Sequence, residues 1–237
     1  MKTLIIGKGE VGQALSNILQ QYYEVWNINA QNGSPAGVGM NGYIAKRPDF
    51  EILHIAFPYS KEFVSEVKRY QELYNPTYTI IHSTVPVGVS RQCGAVHSPI
   101  IGIHPNLESG IKTFPKYLGG EQASEIADYF RRAGLKVYLF DKSETTELMK
   151  ILDTTFYGVC IEYTKDVKRQ CEKYGVPFEA WNIWTRNYNE GYIKLNHPEF
   201  TRPNLVPIMT KIKGHCVLPN TDLLNTPFTN LIKELNQ

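Results

Sequence analysis

The chain has 237 residues, 42% hydrophobic and 20% charged, an ordinary globular composition with room for one large or two small domains. A formal net charge of +2 and the lack of any dense Lys/Arg run argue against a polyanion-binding surface, so no nucleic-acid partner is expected. Cys93, Cys160, Cys171 and Cys216 form no C-x-x-C pair, which excludes a zinc knuckle or a dense disulfide framework and suits the reduced thiols of a cytoplasmic protein.

In chain order, Thr3-Leu4-Ile5-Ile6 is a short apolar run closed by Gly7, and Val11, Leu15, Ile18 and Leu19 follow at helical spacing: strand, tight loop, helix. The opening run is too short for a signal peptide or a membrane span, so no membrane partner is expected. Residues 23–28 read as a second strand and 29–42 as a Gly/Asn/Ser/Pro-rich loop. Residues 52–57 are strand-like and stop at Pro58. The spacing of Phe63, Val64, Val67 and Tyr70 predicts a helix over 60–73 with Ser60 as its N-cap, and 78–82 is another β-branched run. A last unit comprises a helix over 123–133, Gly134 as its stop and a strand over 136–140, where the sheet is expected to end. Strands alternating with helices imply an α/β, Rossmann-type domain over 1–141, with a doubly wound parallel sheet.

Residues 142–237 read as an all-helical second domain built on one long helix over 143–174. Its stripe of Leu148, Ile151, Leu152, Thr155, Val159 and Tyr163 is expected to face the core. Lys150 and Thr154 share another face, able to address a ligand. Gly175-Val176-Pro177 ends the helix. A further helix over 178–188 carries Trp181, Trp184 and Tyr188 at helical spacing, read as packing in a core or a dimer interface, and 204–237 is shorter and more broken.

The loop Gly7-Lys8-Gly9-Glu10-Val11-Gly12 follows a predicted strand and opens a helix, the context in which G-x-G-x-x-G binds a dinucleotide. Its glycines let backbone N–H groups approach a pyrophosphate, whose charge a helix N-terminus favours. The expected cofactor-binding set is this loop, Asn29 after the second strand, Ala56, Phe57 and Pro58 after the third, and Ser83 and Thr84 after the fourth. The ribose-binding acid of the fingerprint is replaced around Asn27 and Asn29. Asn29 can hydrogen-bond a ribose hydroxyl and no Arg directly follows to take a 2′-phosphate, so NAD is the expected cofactor, with NADP kept open by Lys46 and Arg47. A fold that has lost its cofactor is the alternative.

The order of that loop, Ser83-Thr84-Val85-Pro86-Val87-Gly88, Leu118-Gly119-Gly120, Glu147-Leu148-Met149-Lys150 and Gly214-His215-Cys216 resembles the UDP-glucose/GDP-mannose dehydrogenases over nearly the whole chain. The resemblance implies NAD-dependent oxidation of a nucleotide-sugar alcohol to the acid, through a cysteine thiohemiacetal and thioester. It implies Cys216 as nucleophile, Lys150 as oxyanion stabiliser, and a homodimer formed through the helical domain. Thr84, at the carboxyl edge of the sheet, joins the catalytic candidates, its alternative being a turn-forming Ser/Thr pair. Glu108 falls near the family's general-base glutamate, one residue short in spacing.

Two candidates mark departures from the family. Thr154 stands where it has an asparagine one turn after the lysine, and Asn220 where it has an aspartate four residues after the cysteine. Asp222 is a substitute carboxylate, but the proline has shifted as well, to Pro219; without the carboxylate a hydrolytic water lacks its base. Too few residues follow Cys216 for the family's third domain, so this reads as a short form acting on a smaller substrate, or one whose site another subunit finishes. Lys211, Lys213 and His215 surround Cys216 with charge that favours a thiolate, against the alternative of a small buried hydrophobe.

The segment Ile101-Gly102-Ile103-His104-Pro105 is similar to the G-x-H-P stretch of prephenate dehydrogenases, which implies a two-electron oxidation using Lys150 and His104, with Cys216 incidental. His54, His82 and His97 lack close ligand spacing and read as structural, so no metal site is expected. Three functions stay open: a nucleotide-sugar-type oxidoreductase, a two-electron hydroxyacid or prephenate-type dehydrogenase, and a non-catalytic dinucleotide-binding or assembly module.

Overall fold

The structure is a computed structural model that describes residues 1–30, 49–214 and 216–236; most of the predicted 29–42 loop, Lys46, Arg47 and His215 lie outside the described residues. Its sheet contains β1 (Lys2–Ile6), β2 (Glu24–Ile28), β3 (Ile52–Ile55), β4 (Tyr78–Ile81), β5 (Val96–His97), β6 (Lys116–Gly119) and β7 (Val137–Phe140). The spatial order is β2-β1-β3-β4-β5-β6-β7. Neighbouring strands are parallel except β5 and β6, which meet antiparallel at His97 and Gly119. The expected Rossmann-type α/β sheet is therefore mostly parallel, with one reversed seam. Residues 98–115 hold only the short α4 (Leu107–Thr113), not a sheet-spanning crossover helix, and the chain enters β6 from the opposite end.

Both faces of the sheet are covered, as the doubly wound reading requires. On one face Ile5, Ile52 and Ile80 pack with Leu15, Ile18 and Leu19 of α1 (Glu10–Leu19) and with Ile126, Ala127 and Phe130 of α5 (Ala123–Arg132). On the other, Leu4, Ile6, Leu53, Ile55 and Ile81 pack with Phe63, Val67 and Tyr70 of α2 (Phe63–Tyr74). Alternate residues of one strand thus feed two cores, which is why these strands read as continuous apolar runs. Each fully buried Ile or Leu stabilises the fold by about 1.5–3 kcal/mol. Ser60 does not cap α2; Glu62 holds that position, and the Ser60 hydroxyl instead accepts from the Glu62 N–H in the preceding turn.

The chain divides into two compact units, Met1–Lys150 and Ile151–Gln237. The long helix α6 (Ser143–Lys173) forms as predicted, but its buried side follows the predicted stripe only in part. Ile151 and Thr155 of the stripe are buried, whereas Leu152 and Tyr163 are exposed and Thr154, Glu162 and Lys165 are buried instead. Apolar periodicity cannot find a face on which a threonine bonds back to the helix, as Thr154 does to the Ile151 carbonyl, and on which Glu162 and Lys165 pair at 2.7 Å. Gly158, a weak spot in the sequence, is a packing position: a Cβ there would lie 2.7 Å from Val217 and 2.9 Å from Ile232. The second unit continues with α7 (Phe178–Lys194), longer than predicted, then α8 (Val217–Thr221) and α9 (Pro227–Leu235). Among the described residues no helix is long and apolar enough to cross a membrane.

Candidate functional site

The glycine loop joins β1 to α1 at the carboxyl edge of the sheet. Ile6 pairs with Ile55 and Ile28, so Gly7 emerges between the ends of β2 and β3, and its N–H donates to the Ile28 carbonyl at 2.8 Å. Gly7 has φ 121°, and a Cβ on it would lie 2.5 Å from the Ala56 carbonyl oxygen. A Cβ on Gly12 would come within 1.7 Å of the Gly7 carbonyl oxygen, so the first turn of α1 packs directly on the loop. Gly9, which precedes α1, has none of the described residues within 4 Å of its Cβ direction. The loop therefore presents an unobstructed backbone at a helix N-terminus, the geometry that accepts a pyrophosphate, and the residues present fit a dinucleotide.

The other cofactor candidates surround this edge unevenly. Lys8, Glu10, Asn29 and Pro58 are exposed and Val11 and Ala56 half-buried, but the Phe57 ring is buried against Phe63 at a centroid distance of 5.0 Å, so Phe57 can offer a ligand only its backbone. Its carbonyl already accepts from the Ser83 hydroxyl at 2.5 Å. Asn27 turns back to the loop, donating to the Gly12 carbonyl at 3.3 Å, while its side-chain oxygen is buried without a hydrogen-bond partner among the described residues. The Glu10 carboxylate contacts His104 Nδ1, which brings the G-x-H-P segment to the glycine loop. An open groove of about 780 Å³ runs between that loop and α4, lined by Lys8, Glu10, Asn17, Asn106, Glu108 and Lys112.

Thr84 follows β4 half-buried, and Lys150, also half-buried, lies in the part of α6 that belongs to the first unit. Three neighbours absent from the predicted set tie α6 to the segment around Thr84. Glu147 is buried, and its two side-chain oxygens accept from the N–H groups of Gly88 (2.6 Å) and Ser90 (2.7 Å), at the start of α3 (Val89–Gln92). His97 lies 3.2 Å from the Ser83 carbonyl through Nε2 and 2.8 Å from the Thr146 hydroxyl through Nδ1. A carbonyl only accepts, so Nε2 carries the hydrogen and Nδ1 accepts from Thr146. Burial holds the His97 imidazole neutral, with its pKa lowered to about 3; the Ser83 hydrogen bond opposes this, and the charges of Lys116 and Lys150 add to it. Gly119 makes the approach possible, because a Cβ there would meet the Thr146 hydroxyl at 2.6 Å.

His54 and His82 are buried in a hydrogen-bonded chain, although sequence spacing hides how they meet. The Ser98 carbonyl accepts from His82 Nδ1 (2.7 Å), so His82 Nε2 accepts from His54 Nδ1 (2.8 Å) and His54 Nε2 accepts from the Tyr129 hydroxyl (3.1 Å). Tyr129 in turn accepts from Thr3 (3.0 Å). Burial, and then the Lys116 charge, push the His54 pKa down to about 3 and that of His82 well below its ordinary value. Lys116, itself fully buried, bonds the Ser98 and Pro99 carbonyls, and burial lowers its pKa to about 7. Among the described residues no cluster of three metal-ligating side chains occurs.

Glu108 is held by Lys112 at 2.7 Å and by Asn17 of α1 at 3.3 Å, and these hydrogen bonds keep its carboxyl below the usual range, which weakens it as a proton acceptor. In the second unit Cys216 is exposed at the start of α8, which removes the buried-hydrophobe alternative; the buried cysteine is Cys93, whose thiol burial pushes up to about 11. Lys211 and Lys213 are exposed nearby in sequence. The two departures from the family pattern bond to each other: Asn220 Nδ2 donates to Thr154 Oγ1 at 3.1 Å, and both side chains are buried. Of the aromatic stripe of α7, Trp184 is 71% exposed, whereas Trp181 and Tyr188 are half-buried.

No family model and no curated protein matches the chain, but solved structures match it over almost its full length. The UDP-D-ManNAc dehydrogenase of Pyrococcus horikoshii is similar with TM-score 0.73 and 15% identity, over 100% of this chain and 68% of that one. The 3-hydroxyisobutyrate dehydrogenase of Mycobacterium tuberculosis gives 0.70 and 14%, over 98% and 91%. A UDP-glucose dehydrogenase of Pyrobaculum islandicum gives 0.68 and 14%, over 99% and 67%. At such identities the likeness establishes the fold that the chain shares with these dehydrogenases.

Proposed function

We propose that this chain is an NAD-dependent oxidoreductase that removes hydride from an alcohol carbon. The observation that carries the reading is the glycine loop, where Gly7 and Gly12 hold a tight turn and Gly9 leaves the helix N-terminus open to a pyrophosphate. When bound, the dinucleotide accepts the hydride. Lys150 would hydrogen-bond the substrate oxygen and stabilise the negative charge that grows on it as the proton leaves, and Thr84 would orient the same hydroxyl. Asn29 would take a ribose hydroxyl, which favours NAD over NADP.

The finer reading is a nucleotide-sugar 6-dehydrogenase-like enzyme, in which Cys216 adds to the aldehyde and a second hydride transfer yields a thioester. The similarity to UDP-sugar dehydrogenases supports it. A second reading, two-electron oxidation of a small hydroxyacid, is favoured by the Thr154–Asn220 bond, because a buried amide engaged this way cannot activate water. The test is NADH formed per substrate with UDP-glucose, UDP-N-acetylmannosamine and 3-hydroxyisobutyrate. Two NADH per nucleotide sugar, falling to one in Cys216→Ser, supports the finer reading; one NADH with 3-hydroxyisobutyrate, indifferent to Cys216→Ser, supports the second. Binding of neither NADH nor NADPH would leave a non-catalytic module.

A second copy of this chain is the proposed partner of the helical unit. Among its described residues only Ile151, Ile212, Val217 and Ile232 are buried apolar side chains, while Phe156, Tyr163, Trp184 and Ile193 are each about half exposed or more. A unit so poor in core is marginal alone, and exposed apolar area on this scale marks an association surface. Light scattering should give a dimer that Trp184→Arg with Phe156→Asp converts to monomer; a monomeric wild type would refute it. The cytoplasm is the proposed compartment, consistent with cysteines that form no disulfide.

A further inference from the structure

We infer that Glu147 is a positioning residue that sets Lys150 against the Thr84 segment, with Thr146 and His97 as its second arm. This rests on the proposed role of Lys150. The segment over residues 83–90 leaves β4 as a loop, and a loop on its own would hold Thr84 poorly. Here two buried attachments fix it to one turn of α6. The Glu147 side chain takes the Gly88 and Ser90 N–H groups at 2.6 and 2.7 Å, and His97, whose Nδ1 accepts from Thr146 at 2.8 Å, donates from Nε2 to the Ser83 carbonyl at 3.2 Å, so the loop is held on both sides of Thr84. An exposed third tie, Arg91 to Glu144 at 2.7 Å, has the same direction.

Lys150 stands three residues after Glu147 and four after Thr146, the two spacings that place side chains next to each other along a helix. Both buried attachments of the loop are thus made about one helical turn from the lysine. The Lys150 charge is one of the causes that keep the His97 imidazole, between the Ser83 carbonyl and Thr146, neutral. The fixed side-chain oxygens of Glu147 and the neutral, single-tautomer imidazole of His97 leave few alternative arrangements. Held this way, the hydroxyl of Thr84 and the amine of Lys150 keep a constant separation through turnover.

The test compares wild type with Glu147→Gln and Thr146→Val by three readouts. Amide exchange follows Gly88 and Ser90, trinitrobenzenesulfonate labelling followed by peptide mass spectrometry reports Lys150, and steady-state kinetics use the three alcohols above. An amide side chain cannot accept from both N–H groups, so Glu147→Gln should speed exchange at Gly88 and Ser90 and change the Lys150 labelling rate. A displacement of the lysine should lower kcat about 10- to 100-fold, with the NADH dissociation constant unchanged because the glycine loop is untouched. Thr146→Val, which keeps the shape and loses the hydroxyl, should move the same readouts less and decides the matter if Glu147→Gln does not fold. Folded variants that keep wild-type kcat and Lys150 labelling would overturn the inference. Wild type that oxidises none of the alcohols would sink the functional reading alone, since exchange and labelling still judge the clamp.

Discussion

In the first unit Glu147 holds the loop after β4 through two buried hydrogen bonds, whereas the second pairs Thr154 with Asn220 and leaves Cys216 exposed at the start of a five-residue helix. The first holds almost the whole apolar core among the described residues and the second only four buried apolar side chains. The proposed dinucleotide binding and the proposed chemistry at Cys216 therefore rest on sites of different completeness. One can survive without the other, and each has to be tested by itself.

The largest effect should come from Gly12→Ala, whose Cβ would lie 1.7 Å from the Gly7 carbonyl oxygen. Relief requires the loop to move, at a cost of about 3 kcal/mol or more, so NADH binding should vanish and the urea midpoint should fall. A variant with wild-type binding would remove the glycine loop from the argument. Next, Lys150→Met should lower kcat about 100- to 1000-fold while the NADH dissociation constant holds, which would separate catalysis from binding within the first unit. Equal loss of both would instead make Lys150 a structural residue.

The buried histidines sharpen the contrast through pH. The His54 pKa is lowered from 6.5 to about 3, so the unfolded chain binds the proton more readily. The stability this contributes is complete above pH 6.5 and is lost as pH falls toward 3, with His82 and His97 acting in the same direction. Lys116, lowered from 10.5 to about 7, makes stability rise with pH across that interval. His54→Gln should cost about 1–3 kcal/mol at pH 7, by breaking the Tyr129–His54–His82 chain, and should flatten the decline of the urea midpoint below pH 6.5. Midpoints that fall in parallel for variant and wild type would contradict this. The smallest effect belongs to Cys216→Ser, where the first hydride transfer should stay within about 2-fold of wild type, whatever happens to a second.

The sequence was legible where a local pattern decides the structure. The β1–loop–α1 unit, β7 and the 31-residue α6 follow from apolar runs, glycine stops and helical spacing. It was illegible where partners are backbone atoms or distant residues. The two-residue β5 is too short to show a period, and its antiparallel seam with β6 depends on where the chain travels after His97. The buried face of α6 was placed only in part, because Thr154 and the Glu162–Lys165 pair share it with Ile151 and Thr155. Glu147 stood inside a recognised motif beside Lys150, yet its partners are the N–H groups of Gly88 and Ser90, which no side-chain pattern announces. His54 and His82, 28 residues apart, meet only because β3 and β4 are adjacent.

The central claim, that this chain is built around a dinucleotide site at the glycine loop, is tested most directly by NADH fluorescence titration of wild type and Gly9→Glu. Gly9 has φ −68° and none of the described residues within 4 Å of its Cβ direction, so the substitution leaves the fold intact and puts a bulky negative side chain where a pyrophosphate would lie. The expected result is saturable binding by wild type, and none by a Gly9→Glu protein of unchanged melting temperature. Saturable binding that survives Gly9→Glu, or a folded wild type that binds neither NADH nor NADPH, would contradict the claim.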